Sequence, residues 1–290
     1  MKRCAELYCR RILYCQITKA INYLVANHKQ SRTIVVERNY ILILQNKVVI
    51  ITGASRGIGR ALALAFASEG ATLILAARTM RPGTGEREGS INEVVAQIRQ
   101  NGGNALGVQC DVGNEEQVQL LVDRTLTEVG PIDVLINNAG ILHSAPITEI
   151  STQAWDNAVA VNIRGPFLTC KYTLPGMMER KQGNVINITS RAGERIDANR
   201  LPYGMTKAAL NKFTINLAED MRPYNIAVNC LGPGLIQTRT LGADQSPIPR
   251  GGRIAEAPET VVPAALWLAQ QDSSFTGHIV HRDEFGVTWP

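Results

Sequence analysis

Thr52-Gly53-Ala54-Ser55-Arg56-Gly57-Ile58-Gly59 is the stretch from which the fold can be read. Before it runs Val48–Thr52, apolar and β-branched, as a strand requires. After it runs Arg60–Ser68, rich in Ala and Leu, as a helix prefers. Glycines at 53, 57 and 59 let the chain turn tightly and let a pyrophosphate approach the backbone. The helix that follows offers free N–H groups and the positive end of its dipole. The spacing is Gly-x-x-x-Gly-x-Gly, not the common dinucleotide pattern Gly-x-Gly-x-x-Gly. Its four fixed positions arise by chance in under roughly 1% of chains of this length. No Gly-Lys-Ser/Thr follows, so the loop is not of the ATP type.

Outward from this loop, apolar runs alternate with helical stretches. The apolar runs are Thr72–Ala76, Ala105–Cys110, Val134–Asn137, Asn184–Thr189, Ile226–Cys230 and a short one near His278–His281. Helical patterns cover Ile91–Gln100, Glu115–Val129, Gln153–Met178, Tyr203–Met221 and Glu259–Gln270, with Gly165-Pro166 expected to bend the third. The apolar runs lack polar alternation, so helices should cover both faces of a parallel sheet. The expectation is an α/β, Rossmann-like, doubly wound layer. Residues 81–90 and 240–258 read as loops.

The chain has 290 residues, 45% apolar and 19% charged, which is normal for a globular protein and argues against disorder. Residues 1–46 carry eight basic and two acidic side chains, a balance of +6. The whole chain is +5, so residues 47–290 carry −1 and have no general attraction for nucleic acid or anionic membrane. The body is expected as one domain over 47–290, with 1–46 a poorly ordered or loosely helical extension. That extension is Arg-rich and acid-poor, as organelle-targeting peptides are, but poor in serine. Six scattered cysteines form no Cys-x-x-Cys pair, and the four histidines complete no metal set. Reduced thiols, a cytoplasmic setting and no metal are expected. No apolar run reaches the length of a spanning helix.

NAD-binding folds usually place an acid at the end of the second strand to hold the ribose hydroxyls. Here that position reads Leu75-Ala76-Ala77-Arg78-Thr79. Arg78, with Arg56 in the glycine loop, suits a ribose 2′-phosphate, whose charge an acid would repel. NADP(H) is therefore favoured, and NAD(H) stays open. Tyr203-Gly204-Met205-Thr206-Lys207 places a phenol and an ammonium one helical turn apart. A nearby cation favours the phenolate, giving a tunable acid/base. Seven tyrosines and eight lysines produce about 0.2 such pairs by chance, so the pair alone decides little. Ser190 closes a strand thirteen residues earlier, Asn137-Asn138-Ala139-Gly140 follows another strand, and Asn162 lies beside the Gly-Pro bend.

As a set these residues resemble the short-chain dehydrogenase/reductases, in their short single-domain branch. The resemblance covers about Lys47 to Gly277. It implies a sheet of about seven strands, a homodimer or homotetramer, and a catalytic set of Asn162, Ser190, Tyr203 and Lys207. In that set Tyr203 passes a proton to the carbonyl oxygen and Ser190 steadies the same oxygen. Lys207 lowers the phenol's pKa and holds the nicotinamide ribose, and Asn162 anchors a water. The resemblance also implies cofactor contacts from Gly53, Ser55, Arg56, Gly57, Ile58 and Gly59, then Asp111 and Val112. Asn138, Ala139 and Gly140 join them, as do Pro233, Gly234, Ile236 and Thr238. Backbone capping is the lesser alternative for Asn138 and Asp111; Asp133 and His143 read as structural.

A small-molecule carbonyl or secondary alcohol is the implied substrate. Two other readings are a dinucleotide sensor without turnover and a sugar-nucleotide epimerase. An intact acid/base set argues against the first. The absence of Gly-x-x-Gly-x-x-Gly argues against the second. Two departures from the family pattern stand out. The chain ends Ile279-Val280-His281-Arg282-Asp283-Glu284-Phe285-Gly286 where Asp-Gly-Gly usually follows the last strand, leaving the C-terminal packing open. The 81–90 loop is also longer than usual.

Overall fold

The structure, a computed structural model, describes residues 42–81, 89–238 and 254–290. Contacts divide the chain into two units, one being Leu42–Asp283 and the other described only at Glu284–Pro290. In the short C-terminal piece the rings of Phe285 and Trp289 pack 4.8 Å apart. The expectations for residues 1–41 and for most of the 240–258 loop lie outside the described residues. Leu42–Asn46, expected in the extension, join the larger unit: Leu44 is buried, and its N–H donates to the Glu69 carbonyl at 3.0 Å.

Seven parallel strands form one sheet. They are β1 (Val48–Thr52), β2 (Thr72–Ala77), β3 (Asn104–Gln109), β4 (Val134–Asn137), β5 (Gly183–Ile188), β6 (Ile226–Gly232) and β7 (Ile279–His281). Their order is β3-β2-β1-β4-β5-β6-β7. The order reverses between β1 and β4, and such a switch point opens a crevice beyond the carboxyl ends of the strands. β1 and β4 are buried along their whole length, which is why their sequences show no alternation. Ile50, Leu135, Val185 and Val228 face one helical layer, formed by α3 (Glu115–Glu128), α5 (Gly165–Arg180) and α6 (Leu201–Met221). Helices α1 (Gly57–Ser68), α2 (Ile91–Gln100) and α7 (Val262–Leu268) make the opposite layer, built on Phe66, Leu62 and Ile98.

The expected helix 153–178 is in fact two. α4 (Thr152–Val159) passes into a π-helical turn at Ala160–Arg164, and α5 begins at Gly165. The interruption therefore precedes Gly165-Pro166 rather than lying on it. Pro166 sits in the first turn of α5, where a missing N–H costs nothing. Asn162 is at the centre of the π turn, a feature that recurs at functional sites. The expected helix 259–270 is a 3₁₀ turn, Pro258–Val261, followed by the shorter α7.

A buried polar ladder ties the strand ends beneath the crevice. Asn137 Nδ2 donates to Asn187 Oδ1 at 2.9 Å, and Asn187 Nδ2 donates to Thr214 Oγ1 at 2.8 Å. Thr169 Oγ1 donates to Asn137 Oδ1 at 2.7 Å. The C-terminal departure is also accounted for. β7 pairs with β6, His281 is buried against Glu194 at 3.0 Å, and Arg282 donates to the Pro233 carbonyl and pairs with Glu256.

Candidate active site

The turn after β1 is built by its glycines. Gly53 and Gly57 hold φ of +66° and +54°, a region that side-chain-bearing residues rarely adopt. Thr52 lies at the strand end, and its Oγ1 accepts the N–H groups of Asn138 and Ala139 at 3.0 and 3.1 Å. Asn138 Nδ2 donates to the carbonyls of Thr52 and Gly53 at 2.8 and 3.1 Å. The loop after β4 is thus stitched to the loop after β1. α1 starts at Gly57 with no side chain capping its first turn, so its N–H groups face the crevice for an anion to fill.

One cleft of about 2190 Å³ runs along these carboxyl ends, larger than the ~300–1,000 Å³ of a typical small-ligand pocket. It holds Gly53, Ser55, Arg56, Gly57, Ile58, Arg78, Asp111, Val112, Asn138, Ala139 and Gly140 on one side of its length. Ser190, Tyr203, Lys207, Pro233, Gly234, Ile236 and Thr238 line the rest. Two expected site residues do not line it. Gly59 sits behind the loop, where an added Cβ would collide with the Gly53 carbonyl and the Asn138 amide. Its lack of a side chain lets α1 pack closely on the loops that follow β1 and β4. Asn162 is buried: its Oδ1 accepts Ile141 N–H at 2.9 Å, and its Nδ2 donates to the Ile141 carbonyl and Thr206 Oγ1 at 2.9 and 3.0 Å. That amide clamps the chain beside the cleft to helix α6.

The cap readings also hold in part. Asp111 Oδ1 accepts the Gly113 N–H at 3.0 Å, and the Asn138 amide is engaged by the glycine loop. Asp133 is structural, accepting Val48 N–H at 2.9 Å and pairing with Lys47.

Tyr203 and Lys207 share one turn of α6. Lys207 Nζ lies over the Tyr203 ring, 5.7 Å from its centroid, and donates to the Ile188 carbonyl at 2.7 Å. An ammonium has three donors, so two remain. Burial pulls Lys207 down to about 8, and nearby Cys230 opposes that shift. Burial pushes the Tyr203 phenol above its ordinary range; the Ser190 hydroxyl, then Arg200, pull it back, and Asp197 adds to the rise. Ser190 and Arg200 thus supply part of the pull on the phenol. Sequence reasoning missed His143, Arg191, Arg195 and Arg282, all on the cleft wall. Arg191 follows directly on Ser190 and Arg195 comes five residues after it, the one local signal that could have found them.

A family model described as short chain dehydrogenase matches residues 47–247. The chain belongs to the short-chain dehydrogenase family. It is 33% identical over 249 residues to a 3-oxoacyl-(acyl-carrier-protein) reductase of Aquifex aeolicus, covering 82% of this chain and 96% of that one. It is 31% identical over 254 residues to a 2-dehydro-3-deoxy-D-gluconate 5-dehydrogenase of Formosa agariphila, covering 83% and 92%. The structure is similar to that of a gluconate 5-dehydrogenase from Burkholderia cenocepacia in complex with NADP and tartrate. The TM-score is 0.72 at 27% identity, over 83% of this chain and 95% of that one. A metagenomic short-chain oxidoreductase in complex with NADP gives 0.69 at 29% identity, over 82% and 98%. This family member is thus an oxidoreductase with a Rossmann-like sheet, and no described helix is long and apolar enough to cross a membrane.

Proposed function

We propose that this short-chain dehydrogenase interconverts a carbonyl compound and its secondary alcohol with NADP(H), using Tyr203 as the proton donor and acceptor. One observation carries the reading: Ser190, Tyr203 and Lys207 line the same cleft as an uncapped helix N-terminus and the Gly53–Gly57 turn. The residues fit a dinucleotide. Free N–H groups at α1 suit its pyrophosphate, and Arg56 and Arg78 suit a 2′-phosphate. NADP-bound relatives support the same choice. A nicotinamide bound there supplies or accepts the hydride at the substrate carbon.

The chain's own residues handle the proton. As hydride reaches the carbonyl carbon, the C=O π bond breaks and Tyr203 gives its hydroxyl proton to the oxygen, leaving a secondary alcohol and a phenolate. The Ser190 hydroxyl hydrogen-bonds the oxygen and steadies its growing charge. Lys207, still cationic near neutral pH, steadies the phenolate until solvent returns the proton. With both Asn162 Nδ2 donors engaged by Ile141 and Thr206, a water there would be held as a donor, to the main-chain carbonyl in the π turn or to the second lone pair of Oδ1. Oxidation runs these steps in reverse. Cytoplasmic location and a homo-oligomer stay part of the proposal.

Tyr203→Phe tests it. The variant should bind NADPH nearly as the parent does, and carbonyl reduction should fall by about 10²–10⁴. Normal turnover would remove Tyr203 from the mechanism.

A further inference from the structure

The loop from Arg191 to Arg200 joins Ser190, just beyond β5, to helix α6, which carries Tyr203. It therefore overhangs the end of the cleft where the carbonyl must lie. Charges on the cleft wall here balance almost completely. Arg191 pairs with Asp283 at 2.7 Å, Arg200 with Asp197 at 2.8 Å, and Arg282 with Glu256. Four arginines face three carboxylates, and each carboxylate is taken. The remaining guanidinium is Arg195, exposed on the wall and without an ion pair among the described residues, whereas the Lys207 ammonium is buried against the Ile188 carbonyl.

Arg195 is also remote from the groups suited to the cofactor's phosphates. Arg78 follows β2 and Ser190 follows β5, three strand spacings away, about 14 Å at ~4.8 Å each. A guanidinium left over at the substrate end offers two parallel donors to a planar carboxylate. We propose that Arg195 binds a carboxylate on the substrate, so that this enzyme acts on oxo acids and hydroxy acids rather than on neutral ketones. The inference rests on the reading of the cleft as a hydride-transfer site.

The full-length protein, Arg195→Gln and Arg195→Lys are compared by NADPH oxidation with 4-oxopentanoate and 5-oxohexanoate, each beside its methyl ester. The parent should prefer acid over ester in kcat/KM by about tenfold, the lower range for a charge-assisted hydrogen bond at a solvated site. Arg195→Gln should abolish that preference through KM, Arg195→Lys should keep part of it, and added salt should weaken it. Equal use of acid and ester by the parent, or a preference that survives Arg195→Gln, overturns the proposal. Calorimetric titration of 4-oxopentanoate into NADP⁺-loaded protein separates this from the wider reading. Arg195-dependent binding without turnover supports the carboxylate site and sinks the hydride-transfer reading. Absence of binding, with neither acid nor ester reduced, overturns the carboxylate site.

Discussion

Asn162→Ala separates two roles for one amide. In the parent, this buried side chain serves both the N–H and the carbonyl of Ile141, and donates to Thr206 Oγ1. Truncation leaves the two Ile141 groups without those partners, while Thr206 keeps its bond to the Tyr203 carbonyl. Each orphaned polar group costs about 1–3 kcal/mol; Ile141 is only partly buried, so the lower half applies and the sum is about 2–4 kcal/mol. That is a large share of a typical stability of about 5–15 kcal/mol. Urea unfolding should show a lower midpoint with an unchanged m value. In Asn162→Asp the carboxylate cannot donate to the Ile141 carbonyl, and burial raises its folded pKa. Its protonated form restores the donor, so stability should fall as pH rises from about 4 toward 7. A loss below about 1 kcal/mol for Asn162→Ala, with turnover reduced a hundredfold, would refute the clamp and make the side chain a participant in proton transfer.

Three further outcomes are expected. Gly59→Ala forces a Cβ against the Gly53 carbonyl and should cost about 1–3 kcal/mol in urea unfolding and weaken NADPH binding; unchanged values would contradict the packing role. Lys207 titrates near 8 when folded and near 10.4 when free, so the unfolded chain holds the extra proton between these values. Relative to Lys207→Met, the parent should therefore gain stability as pH rises through 8 to 10, by at most about 3 kcal/mol, and a flat difference would refute the burial assignment. Buried Cys110 and Cys170, pushed up to about 12, act oppositely above pH 9 in both proteins and cancel in that comparison, whereas Cys230 is coupled to Lys207, so the comparison is read below pH 9. Arg78→Asp should shift the NADPH-to-NADH preference in kcat/KM by roughly tenfold or more toward NADH, and an unchanged ratio would count against the 2′-phosphate argument.

Local pattern carried most of the fold. Strands β1 and β4 are almost continuous apolar runs because both sheet faces are covered, while β5 is equally buried but carries Asn184 and Asn187. The Tyr203–Lys207 pairing was visible because helical spacing fixes neighbours. What stayed hidden depends on contacts distant in sequence. The π turn is clamped where Asn162 meets Ile141, 21 residues away, and composition does not record that contact. Lys207 donates to the Ile188 carbonyl, 19 residues away, so the anchoring of its ammonium was not deducible from the motif. Gly59 belongs to the motif, but only the geometry shows how tightly it packs on the Gly53 carbonyl and the Asn138 amide.

Asn137 and Asn187 stand directly opposite each other where β4 meets β5. A slip of one residue between these strands would bring Ile186 or Ile188 against Asn137 and strand both amides in a dry interior. The pair acts as a key that admits a single alignment of the central strands. The floor on which Ser190 stands is therefore assembled correctly during folding, before any small molecule arrives to shape it.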